Sequence, residues 1–121
     1  MKKRALIGIF GILCLFAVGL FALMLSANKG EVLVVNRAAE SVARGQIEIC
    51  KQKFTFGPIK PSETKHIFYK VWSDSHYKVT IEFQSGKKLT RELGYVTSGV
   101  DFSDTLIVKD NDILLENRSF R

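Results

Sequence analysis

Cysteine is scarce in this sequence, with Cys14 and Cys50 the only two among 121 residues. Cys14 lies within a long apolar run near the N-terminus, so the rest of the chain contains a single thiol. One thiol cannot form a disulfide within a domain, so the fold has to be stable on its hydrophobic core alone. Because free cysteine is among the most often buried residue types, we expect Cys50 to be buried, with an intermolecular bridge as the alternative.

Patterns typical of catalytic and metal sites are also missing. The sequence has no Gly-x-Ser-x-Gly motif and no glycine-rich phosphate loop. His66 and His76 have no further ligands at the spacing of a zinc site. The acidic segment Asp110–Asp112 continues directly into Ile113–Leu115, which is typical of a hairpin turn rather than a calcium loop. The sequence therefore predicts no enzyme, no cofactor, no metal and no small-molecule substrate.

One long apolar run is present, from Ala5 to Leu25, without a charge, an amide or a proline. At about 1.5 Å of rise per residue, a helix of this length reaches roughly 30 Å, the thickness of a bilayer's hydrocarbon core. The basic residues Lys2–Arg4 precede the run, and the positive-inside rule places such residues in the cytoplasm. We predict that residues 1–27 form an N-terminal membrane anchor and that residues 28–121 form an exported domain.

A cleaved signal peptide is the alternative to an uncleaved anchor. Signal peptides have apolar regions of about 7–15 residues, which is shorter than this run. The best cleavage position follows Ala27 and leaves Leu25 where a small residue is preferred. A lipoprotein signal does not fit, because Cys14 follows Leu13 in the middle of the run. We expect a single-pass protein of the bacterial cytoplasmic membrane, with its C-terminal domain in a Gram-negative periplasm or outside a Gram-positive cell.

The formal net charge is +6, and half of it comes from the three basic residues that precede the apolar run. Basic and acidic residues alternate through the rest of the chain, as they do on an ordinary solvated surface. A basic edge facing anionic lipid headgroups is the less favoured interpretation of five residues: Lys51, Lys53, Lys87, Lys88 and Arg91. Nucleic-acid binding is disfavoured because the domain is expected to be exported.

From Glu31 onward the chain consists of short β-type segments separated by turn residues. The clearest is the segment 77–83, where four large apolar residues alternate with polar ones, as in a strand with one core face and one wet face. A hairpin turn follows at Gln84–Lys87, whose glycine can adopt positive φ. Further strands are predicted over residues 31–36, 42–51, 54–56, 64–72, 88–96, 105–109 and 113–116.

This pattern predicts an all-β domain, an immunoglobulin-like antiparallel β-sandwich of about seven strands behind a single N-terminal transmembrane helix. A small closed barrel is the alternative. About 90 residues suffice for such a core, because domains of about 55–65 residues already fold alone. The predicted core consists of Leu33, Val35, Ile47, Ile49, Phe54, Phe56, Ile67, Tyr77, Val79, Ile81, Phe83, Leu93, Leu106 and Val108.

Four short segments occur together in this chain: VVN, FGPIKPSE, YKVTIEFQSGK and LGYVTSG. In their order and spacing the sequence resembles small bacterial envelope proteins that carry an N-terminal anchor or signal and a compact β-sandwich domain. The resemblance extends from about Glu31 to Lys109 and involves strand spacing and turns. It implies a fold and a location, and it assigns no functional residue.

The segment 64–72 differs from the other strands because it has large apolar residues on both parities. Ile67, Tyr69 and Val71 share one face, whereas Phe68 and Trp72 share the other. Only one face of a sandwich strand can line the core, so Phe68, Tyr69 and Trp72 are the candidate partner-binding residues. The alternative is that a loop of the domain, or the segment next to the anchor, covers this strand.

Two functions are compatible with these features. The first is a non-catalytic, membrane-tethered binding or accessory module of the cell envelope that recognises another protein. An immunity or inhibitor protein held at the membrane would be one version of it. The second is a structural subunit of an envelope assembly that is held in place partly through its anchor helix.

Overall fold

The computed structural model describes residues 27–121. The predicted anchor residues between Ala5 and Leu25 lie outside the described residues. Within residues 27–121, no helix has the length and the apolar composition needed to cross a membrane. Every regular element in this part of the chain is a β-strand, which confirms the all-β prediction.

Eight strands follow one another within residues 27–121, each of them overlapping one of the eight predicted segments. They are β1 (Asn28–Asn36), β2 (Val42–Ile49), β3 (Gln52–Phe56), β4 (Thr64–Val71), β5 (Ser75–Phe83), β6 (Lys88–Val96), β7 (Phe102–Val108) and β8 (Ile113–Phe120).

The strands form two four-stranded sheets that pack face to face. Sheet 1 has the order β4-β1-β7-β8, and sheet 2 has the order β3-β2-β5-β6. All pairings are antiparallel except that between β1 and β7, where Gly30 lies beside Phe102 and Val34 beside Leu106 in parallel register. The prediction of a wholly antiparallel sandwich is therefore wrong at this pair. A parallel pair needs a long crossover, and here that crossover comprises β2 to β6, of which β4 belongs to sheet 1 and the other four strands form sheet 2.

The core lies between the sheets, where alternate side chains of both meet. Most of the predicted core is buried, and Phe54 and Leu93 pack against it while partly exposed. The prediction is wrong for Leu33 and Val35, because β1 turns Val32 and Val34 inward instead. All the residues from 32 to 35 are apolar, so the alternation that decides the inward face elsewhere is absent here.

The two ends of the sandwich differ in their connections. We call one the N-proximal end, where β1, β3, β5 and β7 start and β2, β4, β6 and β8 end. At the other, distal end lie the β5–β6 hairpin and the β7–β8 turn. Because β1 starts at Asn28, the chain enters the sandwich at its N-proximal end.

A buried asparagine organises the distal end. Asn36 is fully buried at the end of β1. Its side-chain Nδ2 donates to the carbonyl oxygens of Ile59, at 2.9 Å, and Glu40, at 3.1 Å, while its Oδ1 accepts from the amide of Ala38 at 2.9 Å. These bonds connect the β1–β2 and β3–β4 loops, and they satisfy an amide that would be costly to bury without partners.

Candidate binding surface

The outer face of sheet 1, which points away from sheet 2, carries a continuous group of apolar side chains. Val35, Ile107 and Leu114 are direct neighbours across β1, β7 and β8. Ile107 is only 2% exposed although it lies outside the core between the sheets. Leu33 precedes Val35 on the same face and pairs with His66 of β4. An outer face of this kind is unusual, since one face of an antiparallel sheet is commonly polar.

Phe68 continues this group toward the N-proximal end. Its side chain is 66% exposed, and its ring stacks on the imidazole of His66 with 4.7 Å between ring centroids. That imidazole also hydrogen-bonds the Glu31 carboxylate of the neighbouring strand. We use the name outer apolar face for Leu33, Val35, Phe68, Ile107 and Leu114.

The structure separates the three predicted partner-binding residues. Phe68 lies on the outer apolar face and Trp72, just beyond the end of β4, is 42% exposed. Tyr69 instead points into the core and is only 4% exposed. A partner cannot contact a side chain buried in this way, so Tyr69 is corrected to a core residue. The reason is the two-residue period of a strand, which places Tyr69 with Ile67 and Val71.

Trp72 is held at the N-proximal end by the β2–β3 turn. Its indole Nε1 donates to the carbonyl oxygen of Cys50 at 2.9 Å. Cys50 is buried, and its thiol donates to the carbonyl oxygen of Ser73 at 3.3 Å. The side-chain hydroxyl of Ser75 accepts from the Cys50 amide at 3.0 Å. The thiol is therefore a packed structural group between the two sheets rather than an accessible nucleophile.

A polar network that the sequence patterns did not reveal crosses the core. The hydroxyl of Tyr77 donates to Oδ2 of Asp104 at 2.6 Å, and the Tyr69 hydroxyl lies 2.6 Å from that of Tyr77. Arg118 closes the network with two bonds to the Asp104 carboxylate, at 2.7 and 3.1 Å. Asp104 is 1% exposed, so its charge is compensated by a bidentate guanidinium and a hydroxyl.

The environment of this network shifts the titration of its members. Burial raises the pKa of Tyr69 to about 12. Burial is also the main cause that raises the pKa of Tyr77, with the Tyr69 hydroxyl and the Asp104 carboxylate adding to it. The bonds to Asp104 raise the pKa of Arg118. All three shifts keep the network in one protonation state, with neutral tyrosines and a charged arginine, which is the behaviour of a structural group.

An open groove lies beside the exposed edge of this network. It has a volume of about 380 Å³ and is mostly apolar. Its lining consists of Tyr95, Thr97, Val100, Phe102, Arg118 and Phe120. Tyr95 is 57% exposed and Phe120 is 68% exposed. The guanidinium of Arg118 lies over the Phe102 ring at 4.8 Å from its centroid, so the floor of the groove is an amphipathic cation–aromatic pair.

The histidines and the acidic residues that could act as catalytic groups or metal ligands are dispersed over the domain. His66 lies on the outer face of sheet 1, whereas His76 lies on β5, 3.6 Å from the carboxylate of Glu92. Asp101 is at the N-proximal end, and Asp110 and Asp112 are at the distal end. Within residues 27–121, no three His, Cys, Asp or Glu side chains are placed to share a metal ion.

The five basic residues of the less favoured basic edge do not form one surface, in agreement with the preferred interpretation of an ordinary solvated surface. Lys51 and Lys53 lie at the β2–β3 turn at the N-proximal end. Lys87 is at the distal end, where its Nζ donates to the carbonyl oxygen of Asp110 at 2.6 Å. Arg91 pairs with Asp112 at 2.9 Å. Lys87 and Arg91 are thus bonded to the β7–β8 turn at the distal end. They do not form a basic edge together with Lys51 and Lys53.

Comparison with known proteins supports the fold and goes no further. No family model matches the sequence, and no curated protein matches it. The solved structure of a protein from Eubacterium rectale is similar, with a TM-score of 0.51 and 14% identity, covering 74% of this chain and 87% of that one. A "putative cell adhesion protein" from Bacteroides uniformis has a TM-score of 0.45 and 8% identity, covering 78% of this chain and 50% of that one. The second likeness is too distant to carry an argument.

Asp104 and Arg118 are the residues that sequence reasoning missed. Asp104 falls between Phe102 and Leu106, at a position where the alternation of β7 requires an inward side chain. An acidic residue at such a position signals a buried ion pair, because an isolated charge there would be too costly. The identity of its partner depends on the β7–β8 register, which places Arg118 directly beside Asp104.

Proposed function

We propose that this protein is a non-catalytic binding module of the bacterial cell envelope, tethered to the membrane and recognising another protein through the outer apolar face. The observation that carries the proposal is the 66% exposure of Phe68 on a sheet face that also bears the exposed Leu114 and the half-buried Leu33 and Val35, with Ile107 buried among them. Exposed aromatic side chains surrounded by apolar residues are typical of protein-recognition surfaces.

The tether is inferred from the position of the apolar run relative to the domain. Leu25 ends the run, and Asn28 already pairs with Val71 in sheet 1. A helix over residues 5–25 would therefore hold the domain directly at the membrane, where its partner would also be found. The immunoglobulin-like type of the sandwich belongs to this proposal and is supported by two face-to-face sheets of short strands.

The absence of a catalytic role is part of the proposal as well. It is supported by the burial of the Cys50 thiol and by the dispersal of the histidines on separate strands. The buried polar network of Tyr69, Tyr77, Asp104 and Arg118 is hydrogen-bonded within itself, which favours a structural role for it.

Photo-cross-linking in intact cells tests the binding module. A photoreactive amino acid is placed at Phe68 and, as a control, at Thr55, which is exposed on β3 of sheet 2. We expect one defined protein adduct from position 68 and none from position 55, because only sheet 1 carries the outer apolar face. Equal adducts from both positions, or none from either, would contradict the proposal.

The alternative is a structural subunit of an envelope assembly held through its anchor. The apolar run itself favours it, since 21 residues exceed the usual length of a signal-peptide core. Replacing residues 5–25 by an unrelated apolar helix separates the two proposals. A binding module keeps its cross-link from position 68, whereas a subunit assembled through its helix loses it.

A further inference from the structure

Three exposed large aromatic side chains lie at the N-proximal end of the domain. Trp72, Tyr95 and Phe120 are 42%, 57% and 68% exposed. Trp72 follows the end of β4, Tyr95 is the second-last residue of β6, and Phe120 is the last residue of β8. The ends of β4, β6 and β8, which belong to both sheets, thus each place one exposed aromatic ring at the N-proximal end.

The contacts of two of these rings fix how they are placed. The indole nitrogen of Trp72 is bonded to the Cys50 carbonyl oxygen, leaving part of the ring in solvent. The ring of Phe120 packs at 6.3 Å from that of Phe102, over which the Arg118 guanidinium lies. Tryptophan and tyrosine, which have an apolar ring and a polar group, are enriched at the interface between a bilayer and water.

Basic residues surround the same end. Lys29 and Lys70 are neighbours across β1 and β4, Lys51 is at the β2–β3 turn, and Arg121 follows β8. Lys29, Lys51 and Arg121 are exposed.

Two acidic residues lie at the same end. Asp101 accepts from the backbone amide of Lys29 at 2.8 Å, and Asp74 accepts from that of Ser98 at 2.9 Å. The four basic side chains outnumber these two carboxylates, which favours a surface of anionic headgroups.

The chain itself brings this end to the membrane. Only Ser26 and Ala27 lie between Leu25, the end of the apolar run, and Asn28, the start of β1. The three steps from Leu25 to Asn28 span at most about 10 Å when the chain is fully extended. The N-proximal end is thus the part of the domain that a helix over residues 5–25 would hold within reach of the headgroups.

We propose that the N-proximal end is a lipid-binding surface that seats the domain on an anionic bilayer. Trp72, Tyr95 and Phe120 enter the headgroup layer, and Lys29, Lys51, Lys70 and Arg121 bind lipid phosphates around them. This inference rests on the proposed tether. Because the strands run from the N-proximal to the distal end, both sheet faces stand up from the membrane, and the outer apolar face remains open to a partner beside it.

Trp72 is the only tryptophan in the chain, so its fluorescence reports on this surface alone. The test uses the full chain in nanodiscs of phosphatidylcholine and phosphatidylglycerol, with bromine atoms near the upper end of the acyl chains as quenchers. We expect strong quenching of Trp72 in these discs and weaker quenching in discs of brominated phosphatidylcholine alone. Equal quenching in both lipids would overturn the role of the basic residues.

Two variants test the surface as a unit. The double variant Tyr95→Ser and Phe120→Ser removes the other two rings, and we expect it to lose most of the Trp72 quenching. Gln84→Ser is the control, because Gln84 is exposed at the β5–β6 turn of the distal end and belongs to neither proposed surface. Its quenching should equal that of the unchanged protein. Circular dichroism of each variant checks that the β-sandwich is retained.

The outcomes separate this inference from the tether on which it rests. Failure of the full chain to elute together with nanodiscs would overturn the tether and the lipid surface together. Stable incorporation with unquenched Trp72 would overturn the lipid surface and leave the tether standing. Incorporation with quenching that the double variant abolishes and Gln84→Ser retains supports the proposal.

Discussion

Asp104 carries a buried charge that the surrounding residues compensate. Its carboxylate receives two bonds from Arg118 and one from the Tyr77 hydroxyl. Gly30 and Gly94 make room for the two tyrosine rings of this network. A Cβ at Gly30 would lie 2.1 Å from the Tyr69 ring, and one at Gly94 would lie 2.8 Å from that of Tyr77. The network therefore depends on small residues on β1 and β6 as much as on its polar members.

Removing the charge of Asp104 tests this dependence. In Asp104→Asn the Arg118 guanidinium loses its ionised partner, and an amide NH₂ replaces one acceptor. We expect the free energy of unfolding to fall by about 2–4 kcal/mol in urea titrations. Asp112→Asn is the control, since the pair of Asp112 with Arg91 is solvent-exposed, and it should have a far smaller effect. Equal losses in the two variants would contradict the structural role of the network.

The raised pKa of Tyr69, about 12, predicts a pH dependence of stability. In the unfolded chain this tyrosine ionises near its ordinary value of 10.0, whereas the folded domain keeps it neutral. The stabilising contribution is thus fully present below pH 10 and is lost as the pH rises toward 12. We expect the free energy of unfolding to begin falling above pH 10. In Tyr69→Phe the decline should be smaller, and an unchanged profile would argue against a buried hydroxyl.

At the scale of elements, the turns decide how the strands pair. The β2–β3 hairpin turns through Cys50 and Lys51, whose φ angles are 49° and 59°. Two consecutive positive values are typical of the two-residue turn that matches the twist of a hairpin, and asparagine and glycine are preferred there. This chain instead places two residues with side chains in the left-handed region, which carries a conformational penalty.

Relieving that penalty should stabilise the domain. We expect Lys51→Gly to raise the free energy of unfolding by about 0.5–1 kcal/mol, because glycine adopts positive φ without a steric clash. The opposite change is available at the β5–β6 turn, where Gly86 has a φ of 92° and open space around it. Gly86→Ala should lower the free energy of unfolding by about 1 kcal/mol. Thermal denaturation of both variants checks the signs, which should be opposite.

At the scale of the whole molecule, two neighbouring residues belong to different environments. Ile67 is 6% exposed and contributes to the core between the sheets, whereas Phe68 is 66% exposed on the outer apolar face. A hydrophobic residue of that size on an outer face contributes little to the stability of the isolated domain. Its exposure there supports the binding role proposed for the face.

Matched substitutions check this division between core and surface. We expect Ile67→Ser to lower the free energy of unfolding by about 3 kcal/mol or more, since it leaves a cavity and buries a hydroxyl. Phe68→Ser should change it by no more than about 0.5 kcal/mol. Chemical denaturation of the full chain in detergent measures both. A large loss from Phe68→Ser would show that the chain itself covers the face.

The strands and most of the core could be predicted from the sequence because their patterns are local. In β5, Tyr77 and Phe83 enclose a strict alternation, so its inward face follows directly from the two-residue period. The turn at Gln84–Lys87 and the strand Lys88–Val96 were located in the same way. In these segments the local structural preference of each residue agrees with that of its neighbours.

Only the tertiary structure decided the features that depend on contacts between distant segments. The inward face of β1 is set by its parallel pairing with β7, and the Asp104–Arg118 pair is set by the β7–β8 register. The burial of Tyr69 and the exposure of Phe68 likewise follow from which side of β4 meets sheet 2. Local periodicity determines that a strand has two faces, but which face is buried depends on the free energy gained against the opposing sheet.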